Sequence, residues 1–138
     1  MSESLSQSIE NTLTALSPLT TKVNHFLNQH VVPREAIFRI NLAIEEIATN
    51  IIKYGYDDMD PHTIEVNLTL FPDTIRLQLK DDGHPFDPSQ TPEPDIHVPL
   101  DQRKIGGLGL HLVREIVGRI AYRRENGTNI LEVDIARQ

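Results

Sequence analysis

Apolar side chains recur between residues 37 and 51 at steps of three and four: Ile37, Ile40, Ile44, Ile47 and Ile51. Those steps gather side chains on one helix face, so the stretch predicts an amphipathic helix with an isoleucine stripe. Pro33 opens this helix and Gly55 offers a left-handed stop at its C-terminus. Phe38 and Leu42 add apolar surface on another side, so the helix is expected to pack between neighbours. An earlier helix is predicted from Ser17–Pro18, a hydroxyl N-cap followed by proline at the first helical position. It carries Leu19, Val23, Phe26 and Leu27 and runs to about His30. Residues 1–12 are polar apart from Leu5 and Ile9, which suits a frayed start or an edge strand.

After Gly55 the period changes to two. Ile64, Val66, Leu68 and Leu70 alternate with Glu65, Asn67 and Thr69, predicting a strand over 62–71. Pro72–Asp73 turns the chain, and Ile75, Leu77 and Leu79 alternate with Arg76, Gln78 and Lys80 in a second strand. Two alternating strands with a tight turn form an antiparallel hairpin with one face covered. Counting on by two from Leu79 reaches Asp81, so a carboxylate takes the next inward position. Such a charge is costly unless it has a partner, which makes Asp81 a candidate site residue; a strand that simply ends in water would also carry it. Residues 87–105 hold Pro88, Pro92, Pro94 and Pro99 without periodicity, a long loop of the kind that is functional or disordered. Ile105-Gly106-Gly107-Leu108-Gly109-Leu110 then opens a helix bearing Leu112, Val113, Ile116 and Val117. Glycines before a helix let backbone N–H groups approach a phosphate, where the helix N-terminus adds partial positive charge. A last hairpin is predicted over 119–125 and 128–136, joined by Asn126–Gly127.

The 138 residues fit one domain, 1–138, with no internal repeat, and a hydrophobic fraction of 38% supplies one core. The absence of cysteine removes disulfides and thiolate chemistry. With no signal-like start and no long apolar run, a soluble cytoplasmic protein is expected. A net charge of -7 argues against broad binding to nucleic acid or anionic membrane, despite Arg103–Lys104 and Arg123–Arg124. The six histidines show no metal-ligand spacing; His84 and His97 read as exposed loop residues.

Glu46 and Asn50 lie four apart beside the isoleucine stripe, so their side chains stack one turn apart, and Lys53 extends the row. A carboxylate beside a carboxamide suits a proton acceptor next to a hard cation, although a solvated helix face has the same composition. Taken with Asp81-x-Gly83-x-Pro85-Phe86 and Gly106-Gly107-x-Gly109-Leu110, the row resembles the N box and the two glycine boxes of the GHKL ATPase/kinase superfamily. Order and spacing fit, and the resemblance is strongest to small anti-sigma-factor serine kinases of the RsbW type. It covers nearly the whole chain.

The resemblance implies an α+β fold: a Bergerat-type two-layer α/β sandwich, with a mixed, mostly antiparallel sheet and helices on one face. ATP would lie between the layers. Asp81 would accept a hydrogen bond from the adenine amino group, Gly83 would let the base approach the backbone, and Pro85–Phe86 would complete the adenine loop. Asn50 would hold Mg²⁺, and Gly106, Gly107, Leu108, Gly109 and Leu110 would wrap the phosphates, with Lys53 a further phosphate contact. Glu46 would be the general base, and 87–105 the ATP lid. The partner implied is an anti-anti-sigma (STAS-domain) protein, with a sigma factor or similar regulatory target sequestered and a homodimer allowed. Tyr54 stands where many relatives carry histidine, and Pro85 where a second glycine is common. Two other readings stay open: an ATP-binding regulatory module without phosphoryl transfer, and a detached histidine-kinase-like catalytic domain. Against the latter, histidine kinases usually carry asparagine at the position of Glu46.

Overall fold

A computed structural model of the chain describes residues 3–85 and 107–138, with side chains described except at 107–111. Strand β1 (Glu3–Glu10) leads through a 3₁₀ turn at Leu13–Ala15 into α1 (Leu16–Gln29) and α2 (Arg34–Tyr54). The hairpin β2 (Thr63–Leu70) and β3 (Thr74–Asp81) follows, and then, beyond the undescribed stretch, α3 (Gly107–Ile116), β4 (Arg119–Glu125) and β5 (Thr128–Ala136). The strands form one sheet in the order β1-β2-β3-β5-β4. All four pairings are antiparallel, so the expected mostly antiparallel sheet is antiparallel throughout its described strands.

Alternation along the strands divides the sheet into two unlike faces. Inward positions Ile64, Val66, Leu68, Leu77, Leu79, Leu131, Val133 and Ile135 are buried, together with Val23 and Leu27 of α1, Ile40, Ile44 and Ile47 of α2, and Val113 of α3. Outward positions carry a polar ladder: Asn67 donates to Gln78 at 3.4 Å, and Gln78 to Glu132 at 3.2 Å. Helix α2 packs on β3 and β5, with α1 and α3 at its flanks. This is the expected two-layer sandwich, with β3 as the central strand.

Of the two alternatives for the N-terminus, the edge strand holds over residues 3–10, because Leu5 and Ile9 pair with Leu68 and Ile64 and pack against the core. Several local expectations need correction. Ser17 does not cap α1, whose N-cap is Ala15. The preceding 3₁₀ turn, closed by Ala15 N–H to Thr12 O at 3.1 Å, starts the winding earlier. Pro18 still fits, since N–H groups in a first turn have no helical acceptor. Gly55 is right-handed, with φ -78°, rather than left-handed. The left-handed residue is Val31 (φ 56°), where Val32 N–H bonds Leu27 O at 3.0 Å and Val31 N–H bonds Asn28 O at 3.1 Å. That pair of bonds closes α1 as a Schellman motif, and buried Val32 repays it with apolar contact. Phe38, expected to help pack α2 between neighbours, is 66% exposed, because α1 and α3 leave that face of α2 open. Among the described residues no helix is long and apolar enough to cross a membrane.

Candidate functional site

Asp81 and Asn129 are the buried polar residues among the described ones, and they are direct cross-strand partners at the ends of β3 and β5. Each continues an apolar inward row, Ile75-Leu77-Leu79 in one strand and Ile135-Val133-Leu131 in the other. Asp81 Oδ1 accepts from the Gly83 N–H at 2.9 Å and from Asn129 Nδ2 at 3.0 Å. Oδ2 has no partner among the described residues. Burial pushes the Asp81 carboxyl above the ordinary aspartate value, while the bonds from Asn129 and Gly83 pull it back.

A cavity of about 110 Å³ opens over this pair. The end of α2 contributes Ile47, Asn50, Ile51, Tyr54 and Gly55; the sheet contributes Asp81, Tyr122, Asn129 and Leu131; His84 and Pro85 come from the loop after β3. Apolar walls with a buried carboxylate among a few polar groups suit a flat ring that carries an N–H donor on its edge. Two glycines stand where the loop meets the helix. A Cβ on Gly83 would stand 2.4 Å from the Gly55 carbonyl oxygen, and that oxygen accepts the His84 N–H at 2.8 Å. At Gly55 a Cβ would meet Ile51 O at 2.6 Å. Gly83 is therefore the glycine that lets the loop lie against the helix end, while Gly55 avoids a clash with its own last turn and is not left-handed.

The sequence-predicted residues distribute unevenly around this cavity. Asn50, Asp81 and Pro85 line it together. Gly83 is buried directly beneath the loop. Glu46 sits half-buried one turn before Asn50 and does not line the cavity; Lys53 is exposed and does not line it either. Gly107, Leu108, Gly109 and Leu110 form the first turn of α3, which packs on α2. Phe86, Gly106, His97 and the proposed lid, 87–105, lie outside the described residues. Among the described residues no three His, Asp or Glu side chains cluster to hold a metal. The Asn50 amide on the cavity wall does fit the way Mg²⁺ is held when bound phosphates and water complete its shell.

The sequence reading missed three side chains that complete the site. Asn129 Nδ2 also donates to His84 O at 2.7 Å and Gly83 O at 3.3 Å, tying the loop to β5. Its Oδ1 accepts from Arg124 Nη1 at 2.8 Å and from the Tyr122 hydroxyl. Arg124 Nη1 also donates to Gly83 O at 3.0 Å. The signal for Asn129 was available: counting back by two from Ile135, Val133 and Leu131 reaches it, as counting forward reached Asp81. At the rim a second cluster holds the segment between α2 and β2. His62 sets Nε2 2.8 Å from Asp58 and Nδ1 3.3 Å from Asp82, while Tyr56 stacks on its ring at 4.0 Å and donates to Asp82 at 3.0 Å. The hydrogen bond with Asp58 raises the His62 pKa, and both carboxylates add to the effect. Burial, then the bond to Asp82, raises that of Tyr56. His84, expected to be an exposed loop histidine, is exposed and pairs with Asp57 at 2.9 Å.

Comparison with known proteins agrees with this geometry. Residues 9–135 match the family model of the histidine kinase-like ATPase domain. The chain is 30% identical over 94 residues to serine/threonine-protein kinase BtrW of Bordetella bronchiseptica, covering 68% of this chain and 66% of that protein. It is 26% identical over 96 residues to serine-protein kinase RsbW of Bacillus velezensis, covering 66% and 59%. It thus spans somewhat less than two thirds of each relative's length. In fold it resembles the RsbU and RsbW domains of Rv1364c from Mycobacterium tuberculosis, with TM-score 0.66 at 15% identity over 99% of this chain and 33% of that one. It also resembles the blue-light activated histidine kinase EL346 of Erythrobacter litoralis, with TM-score 0.56 at 17% identity over 90% and 41%. With nearly its whole length matched by the family model and its fold shared with these proteins, the chain belongs to the histidine kinase-like ATPase domain family, the GHKL fold.

Proposed function

We propose that residues 1–138 are one ATP-binding kinase domain of the anti-sigma-factor type, an ATP-dependent serine/threonine protein kinase. It phosphorylates a hydroxyl on an anti-anti-sigma (STAS-domain) partner and sequesters a regulatory target such as a sigma factor. The observation that carries this reading is the shared cavity: Asn50 from α2 and Asp81 from β3 line one pocket, with Glu46 one turn away on the same helix. The kinase names of the two curated relatives support it.

Asp81 offers an acceptor to the exocyclic amine of adenine, and a guanine carbonyl there would meet the carboxylate with no proton between them. Ile47, Ile51 and Leu131 supply apolar contact for the ring. Asn50 would hold Mg²⁺ by its amide oxygen, and Gly107–Leu110 at the start of α3 bind phosphate through backbone N–H groups. When bound there, Mg²⁺ would supply positive charge against the phosphates. Glu46 takes the proton of the partner's hydroxyl as its oxygen bonds to the γ-phosphorus; the bond from that phosphorus to the bridging oxygen breaks, and ADP leaves. Incubation with labelled ATP and a STAS partner, followed by mass mapping, should locate one phosphorylated hydroxyl. A second reading, an ATP-binding module without transfer, draws on Glu46 lying outside the cavity lining. It takes over if ATP binds and no phosphate is transferred.

A further inference from the structure

Asn129 stands at the centre of a row crossing three strands. Its direct partner on β4 is Arg124 and its direct partner on β3 is Asp81. The direction of its amide is fixed by chemistry. A guanidinium has only donors, so Arg124 Nη1, at 2.8 Å, must face the amide oxygen, and the Tyr122 hydroxyl donates to the same atom. The NH₂ group is thereby aimed at Asp81 Oδ1, at 3.0 Å. A reversed amide would set an NH₂ group against a guanidinium and a carbonyl against a carboxylate. Gly83 N–H donates to the same Oδ1 at 2.9 Å, which leaves Oδ2 as the carboxylate oxygen without a donor among the described residues.

We propose that Asn129, oriented by Arg124, is the positioning residue for base selection: it occupies one oxygen of Asp81 and keeps the other an ionised acceptor directed at the bound base. The inference rests on the nucleotide reading above and deepens it. Adenine selection then belongs to the row Arg124–Asn129–Asp81 rather than to Asp81 alone. The protonation state decides the outcome, because a protonated Asp81 could donate to the guanine carbonyl and would lose its preference for an amine. Burial already favours that protonated form, and neighbouring Asp82 adds to it. Arg124 and the two donors on Oδ1 oppose it. Tyr56 and Tyr122 are the other titratable groups beside this row, and burial raises the Tyr56 pKa, so that hydroxyl stays neutral where Asp81 titrates.

The test measures ATP and GTP affinity by calorimetry between about pH 5 and pH 9 for the parent, Asn129→Ala, Arg124→Met and Asp81→Asn. In the parent, ATP affinity should fall with acid as Asp81 protonates, and GTP should stay weak above that midpoint. Asn129→Ala should move the midpoint up by about one unit and reduce the ATP-over-GTP preference about tenfold near neutral pH, the scale of one hydrogen bond to a charged group. Arg124→Met keeps an apolar stem on an exposed residue and should shift the midpoint in the same direction by less. It serves if Asn129→Ala does not fold. An asparagine with only a structural role would weaken both nucleotides alike and leave the midpoint where it was; that result in Asn129→Ala, or an unmoved midpoint in Arg124→Met, overturns the proposal. Asp81→Asn separates the two levels. If it keeps parental affinity and preference, the assignment of Asp81 to the base is wrong; if it abolishes the preference while the other variants behave as the parent, only the positioning role falls.

Discussion

The two faces of the sheet are built from the same strands in the same register, yet they stake very different free energies on polar contacts. On the open face Arg76 makes a two-pronged contact with Asp134, at 2.8 and 3.1 Å, and Arg119 bridges Glu132 and Asp134 at 2.8 and 3.3 Å. Water competes for these groups, so the network tunes charge more than it holds the fold. On the covered face the polar contact is one short row, Asp81 with Asn129, at the end of two apolar rows. There an unmatched group would bear its full desolvation cost, and the row is correspondingly complete on its Oδ1 side. Asp81 itself lines the cavity. The polar groups proposed to select the nucleotide thus lie where polarity is expensive.

Four measurements can break or sharpen that contrast. The largest effect belongs to the apolar ladder: Leu77→Ala, at a fully buried position, should cost about 2–5 kcal/mol in denaturant unfolding. A cost near that of a surface substitution would mean the covered face is loosely packed. Asp81→Asn should weaken ATP binding by roughly 1–3 kcal/mol while the ATP-over-GTP difference disappears from melting shifts. Equal shifts with both nucleotides in the parent would already remove Asp81 from its role. On the open face, Arg76→Ala should cost only about 0.2–1 kcal/mol and less in high salt, its side chain being 39% exposed. A salt-independent cost well above that range would erase the distinction between the faces.

The smallest effect is at the rim and is read from its sign. The His62 pKa is raised above 6.5 on folding, so its contribution is complete below that value and is lost as pH rises through the folded value. Asp58, lowered from 3.8 by the same bond, contributes above that value and loses its share as pH falls through its folded value. The melting temperature of His62→Gln should therefore fall below the parent's between those limits and converge with it in alkali. A gap that widens with rising pH would contradict the pairing.

Periodicity made most of this molecule legible. Period two exposed β2, β3 and the inward place of Asp81; period 3.6 exposed α2 and the Glu46–Asn50 row. The same parity would have reached Asn129, but the strong Asn126–Gly127 turn signal drew the reading to the hairpin and away from what its second strand carries inward. Helix ends were harder, for a physical reason. Ser17–Pro18 has the composition of a cap, yet any first-turn position tolerates proline, so the pair cannot fix where winding begins. Glycine at 55 suggested a left-handed stop, whereas its φ is right-handed and a side chain there would crowd Ile51 O; Val31, with no glycine to signal it, takes the left-handed turn that ends α1. Conformation and close approach both select glycine, and tertiary packing decides between them. At the rim, His62–Asp82 and His84–Asp57 join residues far apart in sequence, and Asp58 and His62, although four apart, lie outside any helix, so no periodic pattern marks them.

The central claim is that Glu46 and Asn50 divide chemistry from binding on one helical row. It is tested most directly by single-turnover phosphoryl transfer to a STAS partner with Glu46→Ala, beside ATP titrations of the same protein with and without Mg²⁺. Transfer should fall by about 10²–10⁴, the usual worth of a positioned general base, while ATP affinity stays near the parent's and only Asn50→Ala loses the Mg²⁺-dependent part. Transfer at the parental rate by Glu46→Ala would contradict the mechanism outright.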